Sequence, residues 1–72
     1  MKGGEQMNDK ERAVKIALAT RGRSQRWLAG QLGMTPQNFN VRLRRGTFKD
    51  DEMQKIGDLL GMVWQTGFRE KE

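Results

Sequence analysis

Cysteine and histidine are both absent from this chain of 72 residues. Without cysteine the chain has no disulfide, no thiolate nucleophile and no thiolate metal site, and without histidine it lacks the usual zinc ligand and general base. We therefore expect no catalytic residue, no metal site, no cofactor and no small-molecule substrate. The length suits one domain, near the lower limit at which a single apolar core supports a fold unaided.

Long apolar runs are missing as well. No segment approaches the roughly 20 apolar residues that a membrane span needs, and the N-terminus lacks the charged and then apolar order of a signal peptide. A basic amphipathic helix that binds membranes is not indicated either, because the arginines do not lie along one helical stripe. We expect a cytoplasmic protein that does not bind membranes.

Acidic residues are absent between Arg12 and Lys49, although this span contains nine of the 14 lysines and arginines. The nine aspartates and glutamates lie outside it, toward the two ends of the chain. Such a one-sided stretch repels itself unless it meets an anionic partner, and phosphate backbones are the commonest one. A solvated surface that keeps the protein soluble explains the charge alone equally well.

Helix signals begin after a loose, flexible arm over residues 1–8. The first helix is predicted to be capped by Asp9 and to end at Gly22, with one apolar face that comprises Ala13, Val14, Ile16, Ala17 and Leu18. Ser24 is predicted to cap a second helix, which runs from Gln25 to Leu32.

A tight turn follows the second helix, because Gly33 is a helix stop and Thr35 begins a new helix two residues later. Thr35 is predicted to be the N-cap of the third helix. Pro36 suits the first helical position, where its missing N–H has no intrahelical partner. The third helix then extends through Arg45 and ends at Gly46.

The third helix is predicted to bury Phe39 and Leu43, which lie one turn apart. At 100° per residue, its outward face then carries amide, methyl-bearing and arginine side chains. Amides can bond adenine in the major groove of DNA through a paired donor and acceptor, and a methyl-bearing side chain can touch thymine. Taken alone, the amides are equally explained as ordinary surface residues. If the turn before this helix belongs to a helix-turn-helix motif, the predicted base contacts are Gln37, Asn38, Asn40 and Val41.

Phosphate contacts are predicted for basic and polar residues around the second and third helices, namely Arg23, Ser24, Gln25, Arg44, Arg45, Thr47 and Lys49. The N-terminus of the second helix favours an anion beside Ser24 and Gln25. Helix capping alone explains Ser24 equally well. Trp27 in the same helix is interpreted as the edge of the core, with a dimer contact and a sugar-phosphate contact as alternatives.

An acidic turn from Asp50 to Glu52 opens a fourth helix that Gly61 closes, which completes a predicted domain over residues 9–61. In the tail, residues 62–72, apolar side chains alternate through 62–68, which indicates a short strand more than a fifth helix. An isolated strand is not stable. It needs a partner within the chain or in a second copy, and the second option makes the tail a dimer contact.

The segment SQRWLAGQLGMTPQNFNVRLRRG resembles the Cro/repressor-type (XRE-type) helix-turn-helix family, whose domains are lambda repressor-like. The resemblance rests on Gln25, Ala29, Gly33, Thr35, Phe39 and Leu43, and IGDLLGM at the end of the fourth helix is similar to the family's closing segment. It covers about residues 9–62. It implies a mainly all-α, four-helix domain with a glutamine that anchors a phosphate and a small residue at Ala29 where the third helix crosses.

Three features depart from the family pattern. The family places an apolar residue three positions after Phe39, but Arg42 stands there and Leu43 takes the role, so Arg42 has no assigned function. Two glycines, Gly30 and Gly57, lie inside helices, where each costs about 1 kcal/mol relative to alanine. Arg44-Arg45-Gly46 replaces an acidic step that many members carry, which strengthens attraction to phosphate.

The resemblance implies sequence-specific binding of double-stranded DNA by a small prokaryotic or phage-type transcriptional regulator. It is expected to act as a homodimer with the helix of residues 35–45 in the major groove. The alternative is a protein-interaction module on the same fold that uses the apolar C-terminal tail.

Overall fold

The chain, described over residues 7–71 by a computed structural model, is mainly helical and ends in a small antiparallel sheet. This confirms the predicted mainly all-α class with four helices. Of the predicted arm over residues 1–8, residues 1–6 lie outside the described residues. The helices and strands are α1 (Asp9–Arg21), α2 (Gln25–Gln31), α3 (Pro36–Arg45), α4 (Asp50–Leu59), β1 (Met62–Trp64) and β2 (Phe68–Glu70).

Asn8 caps α1, and Asp9 does not. The Oδ1 atom of Asn8 accepts a hydrogen bond of 2.7 Å from the backbone N–H of Glu11. Asp9 is instead the first helical residue, where its carboxylate is close to the positive end of the helix dipole. Both residue types cap helices well, so the sequence alone could not choose between two adjacent candidates.

The core lies between the four helices and β1. Two phenylalanines meet at its centre, since the rings of Phe39 and Phe48 lie 5.5 Å apart at an interplanar angle of 50°. Phe48 lies in the connection between α3 and α4, yet it is as completely buried as the apolar residues of the helices. The other buried apolar residues are Val14, Ala17, Leu18, Leu28, Ala29, Leu43, Met53, Ile56, Leu60, Met62 and Trp64.

Ile16 does not lie on the buried face of α1, so this part of the predicted apolar face is wrong. Its side chain is 60% exposed. Val14 and Leu18 are buried, and each is two residues from Ile16, which places Ile16 about 160° away from both around the helix. Five apolar positions within six residues cannot share one face, and Ile16 is the one excluded.

The tail forms a hairpin and not one strand through residue 68. Its turn spans residues 65–67. The alternation predicted from the sequence holds in β1, where Met62 and Trp64 are buried and Val63 is half-buried. The strand therefore finds its partner within the same chain. The antiparallel register pairs Met62 with Glu70, Val63 with Arg69 and Trp64 with Phe68.

Gly57 allows the hairpin to lie directly against α4. A Cβ atom at Gly57 would lie only 2.8 Å from the carbonyl oxygen of Met62 and 3.2 Å from Cε1 of Phe68. Gly30 differs, because nothing lies within 4 Å of the position that its Cβ would take. Both glycines lower helix propensity, but close packing requires only Gly57.

The two glycines give a matched pair of alanine variants. We expect Gly57→Ala to lower the free energy of unfolding by about 1 to 3 kcal/mol, because the new methyl group would push β1 away from α4. We expect Gly30→Ala to raise it by up to about 1 kcal/mol through helix propensity. Urea denaturation followed by circular dichroism measures both, and equal effects of the two variants would contradict this account of Gly57.

Candidate nucleic-acid interface

The turn between α2 and α3 depends on Gly33, whose φ of +71° is in the left-handed region. The backbone N–H of Gly33 donates to the carbonyl of Gly30 at 3.1 Å, and that of Met34 donates to the carbonyl of Ala29 at 2.9 Å. This pair of hydrogen bonds closes the last turn of α2 and lets the chain change direction within two residues.

Both ends of α3 are closed, and the predicted bounds of this helix are confirmed. At the start, Oγ1 of Thr35 accepts a hydrogen bond of 3.1 Å from the N–H of Asn38, and Pro36 is the first helical residue. At the end, Gly46 has a φ of +66° and the N–H of Thr47 donates to the carbonyl of Arg42 at 3.1 Å. A helix closed in this way frays little.

Asn8 ties the end of α3 to the beginning of α1. Its Nδ2 atom lies 3.1 Å from the carbonyl oxygens of both Leu43 and Arg44, while its Oδ1 caps α1. One amide therefore joins the positive end of one helix to the negative end of another. The sequence showed Asn8 only as a residue of the arm, because its partners on α3 lie 35 and 36 positions away.

Arg42, which had no assigned function, joins α3 to α4. Its Nη2 atom lies 2.8 and 3.0 Å from the two carboxylate oxygens of Glu52, and its guanidinium lies 4.6 Å from the ring centroid of Phe48. The backbone N–H of Lys49 also donates to Glu52, at 2.9 Å. This N–H first, and then Arg42, hold the pKa of Glu52 below its ordinary value.

The four predicted base-contacting residues, Gln37, Asn38, Asn40 and Val41, lie on the solvent side of α3. All four are exposed, whereas Phe39 and Leu43 on the other side are fully buried. Within residues 7–71, none of the three amide side chains makes a hydrogen bond to the rest of the protein. Their donors and acceptors are therefore available to a ligand.

Three predicted phosphate-contacting residues lie at the entry to α2. Oγ of Ser24 accepts a hydrogen bond of 3.0 Å from the N–H of Trp27, so Ser24 does cap α2. The guanidinium of Arg23 lies 4.5 Å from the ring centroid of Trp27, which is half-buried against the core. Arg23, Ser24 and Gln25 line a shallow groove together with Lys15 of α1.

The other four predicted phosphate-contacting residues lie at the opposite end of the helix pair. Arg44 and Arg45 are in the last turn of α3, and Thr47 and Lys49 are in the connection to α4. All four are exposed. Oγ1 of Thr47 donates to the carbonyl of Arg42 at 3.3 Å, so this hydroxyl already has a partner within the chain.

The acidic side chains form ion pairs with lysines and arginines that are not among the predicted phosphate-contacting residues. Over residues 7–71 the ion pairs are Glu11–Lys15, Glu70–Arg21, Glu52–Arg42 and Asp58–Lys71. Arg23, Arg44 and Arg45 take part in none of these pairs. Their charges are therefore not neutralised by the described part of the protein and can attract an anion.

The described residues were also compared with the requirements of a metal site and of a membrane-spanning helix. In the described part of the chain, no three acidic side chains are grouped so that they could hold a metal ion, and no helix combines the length and apolarity needed to cross a membrane. The chain matches no known family, no curated protein and no solved structure. The geometry of α2 and α3 is therefore the basis for assigning a function.

Two substitutions separate the roles of the Asn8 amide. Asn8→Ala removes both the cap and the bridge to α3, and we expect it to cost about 1 to 2 kcal/mol of stability. Asn8→Asp keeps an oxygen that can cap α1 but has no N–H for the carbonyls of Leu43 and Arg44, and its charge repels them. Urea denaturation should show both variants destabilised. Wild-type stability of Asn8→Asp would mean that the bridge contributes nothing.

Glu52→Gln tests the ion pair through its pH dependence. Because folding lowers the pKa of Glu52 below its ordinary value of 4.5, the ionised carboxylate stabilises the fold at neutral pH. That contribution is lost as the pH falls through the pKa of the folded state. Glu52→Gln should therefore be less stable than wild type at pH 7, and the difference in stability should shrink as the pH falls below 4.5 and vanish once the pH is below the pKa of the folded state. A gap that is constant from neutral to acid pH in thermal unfolding would contradict the assignment.

Proposed function

We propose that this protein is a sequence-specific DNA-binding regulator with a lambda repressor-like, Cro/repressor-type helix-turn-helix domain, in which α3 lies in the major groove of duplex DNA. The observation that carries the proposal is the outward face of α3. Among residues 7–71, it combines exposed amides that make no side-chain hydrogen bond with arginines that have no acidic partner, on a helix capped at both ends.

The dimensions of α3 suit the major groove. Its 10 residues span about 15 Å, and a helix with its side chains is about 10 to 12 Å wide, close to the roughly 12 Å width of the groove. Gln37 and Asn38, in its first turn, can each bond an adenine through a donor and an acceptor. In the docking geometry of helix-turn-helix proteins, the N-terminal residues of the recognition helix, here α3, reach the base edges.

Phosphate contacts would then position α3 from its two ends. Arg23 and Gln25 would contact DNA phosphates beside the start of α2. Arg44 and Arg45 would contact phosphates beside the end of α3. Ser24 can join the first group, because a hydroxyl that accepts a hydrogen bond from the backbone still has a proton to donate. These contacts set affinity and register, and the base contacts set sequence preference.

A homodimer on a two-fold symmetric operator, acting in the cytoplasm on transcription, belongs to the same proposal. One helix of this length reads only a few base pairs, and two copies on half-sites about 34 Å apart double the length of sequence that is read. Function as a protein-interaction module through the tail finds less support, because Met62 and Trp64 are buried within their own chain.

Selection of bound sequences from random duplex DNA, followed by fluorescence anisotropy at several salt concentrations, tests the proposal. We expect one enriched sequence and an affinity that falls steeply with salt. Arg44→Ala should weaken binding to all sequences alike and lower the slope of log K against log salt by about 1. The absence of any enriched sequence would refute the proposal.

Arg69→Ala is the matched control for Arg44→Ala. It removes the same charge from an exposed arginine, but on β2 of the hairpin and not on α3. We expect its salt slope to equal that of wild type. An equal loss in both variants would mean that binding depends on net charge alone and not on the face of α3.

A further inference from the structure

Val41 is an apolar side chain on an otherwise polar surface. It is 41% exposed, and its exposed neighbours on the outward face of α3 are amides and arginines. The other large apolar side chains that are exposed in the described part of the chain, Met7 and Ile16, lie outside α2 and α3. Val41 is therefore the apolar group that the proposed DNA-binding face presents to a ligand.

The backbone and the side chain of Val41 are both well fixed. The residue lies in the middle of α3, whose ends are closed by Thr35 and Gly46 and whose buried side is held by Phe39 and Leu43. A valine in a helix takes essentially one χ1 rotamer. Its methyl groups thus occupy a defined position, which a contact that discriminates between ligands requires.

The major groove offers one kind of apolar group at the base edges, the 5-methyl group of thymine. Adenine, guanine and cytosine present hydrogen-bond donors and acceptors there. A valine packed against those polar edges would displace water from them without replacing the hydrogen bonds that the water made, which is unfavourable. A valine placed against a thymine methyl buries apolar surface on both sides.

We propose that Val41 contacts the 5-methyl group of one thymine in each half-site, and so selects a T·A pair at one position of the operator. The inference rests on the proposed function, since it requires α3 to lie in the major groove. Gln37 lies four residues earlier, about 6 Å along the helix axis, which corresponds to about two base-pair steps. The thymine contacted by Val41 and an adenine contacted by Gln37 should therefore lie close together.

Replacement of thymine by deoxyuridine tests the inference, because it removes the methyl group and leaves the base pairing and the polar edge unchanged. Each thymine of the selected operator is replaced in turn, in one half-site, and the Kd is measured. For wild type we expect one position at which uracil weakens binding about fourfold, the effect of one buried methyl group. At that position, 5-methylcytosine should bind more tightly than cytosine by a similar factor.

Val41→Ala should remove this dependence, so that thymine and uracil bind equally at the sensitive position. The side chain of Val41 is exposed and alanine favours helices, so the variant should fold, which circular dichroism will verify. Ile16→Ala is the matched control, because it shortens another exposed aliphatic side chain, on α1. It should keep the full difference between thymine and uracil.

The outcomes separate this inference from the function on which it rests. If no DNA sequence is enriched, the proposed function fails and the inference fails with it. If an operator is found but no thymine is sensitive to uracil, or if the sensitivity persists in Val41→Ala, the inference is wrong and the proposed function stands. A uracil effect that Val41→Ala removes and Ile16→Ala retains supports both.

Discussion

The amide of Asn8 is the interaction on which the position of α3 depends. α3 buries only Phe39 and Leu43 of its 10 residues, so apolar packing alone leaves this helix free to tilt about a narrow seam. Asn8 holds its last turn against the start of α1, and Arg42 holds its flank against α4 through Glu52. A helix that exposes most of its surface to solvent is thus fixed by polar contacts at its end and side.

The capping residues at its two ends explain why the bounds of α3 could be predicted from the sequence. Thr35, Pro36 and Gly46 act on the backbone within a few residues, so their effect does not depend on the tertiary fold. The outward face followed from the same local geometry once Phe39 and Leu43 were placed inward.

Features that join distant parts of the chain could not be read in this way. The partners of Asn8 are 35 and 36 residues away, and burial of Phe48 depends on a ring from α3. The hairpin turn at residues 65–67 contains one glycine and no two-residue turn signal. The alternation of apolar side chains over residues 62–68 therefore resembled that of one longer strand. Gly57 looked like a defect of its helix until the carbonyl of Met62 was found against it.

Two arginines of α3 show why the number of basic residues in a stretch of sequence overstates the positive charge that is available to an anion. Arg42 and Arg44 are two residues apart, but Arg42 lies over Phe48 and is paired with Glu52, whereas Arg44 has no acidic partner among residues 7–71. Of the nine basic residues in the acid-free span, Lys15, Arg21 and Arg42 are paired in this way, and the other six have no acidic partner within residues 7–71. The acidic residues toward the ends of the chain therefore do more than balance charge. By pairing with Lys15, Arg21 and Arg42, they leave the arginines at the entry to α2 and at the end of α3 among the unneutralised cations of residues 7–71.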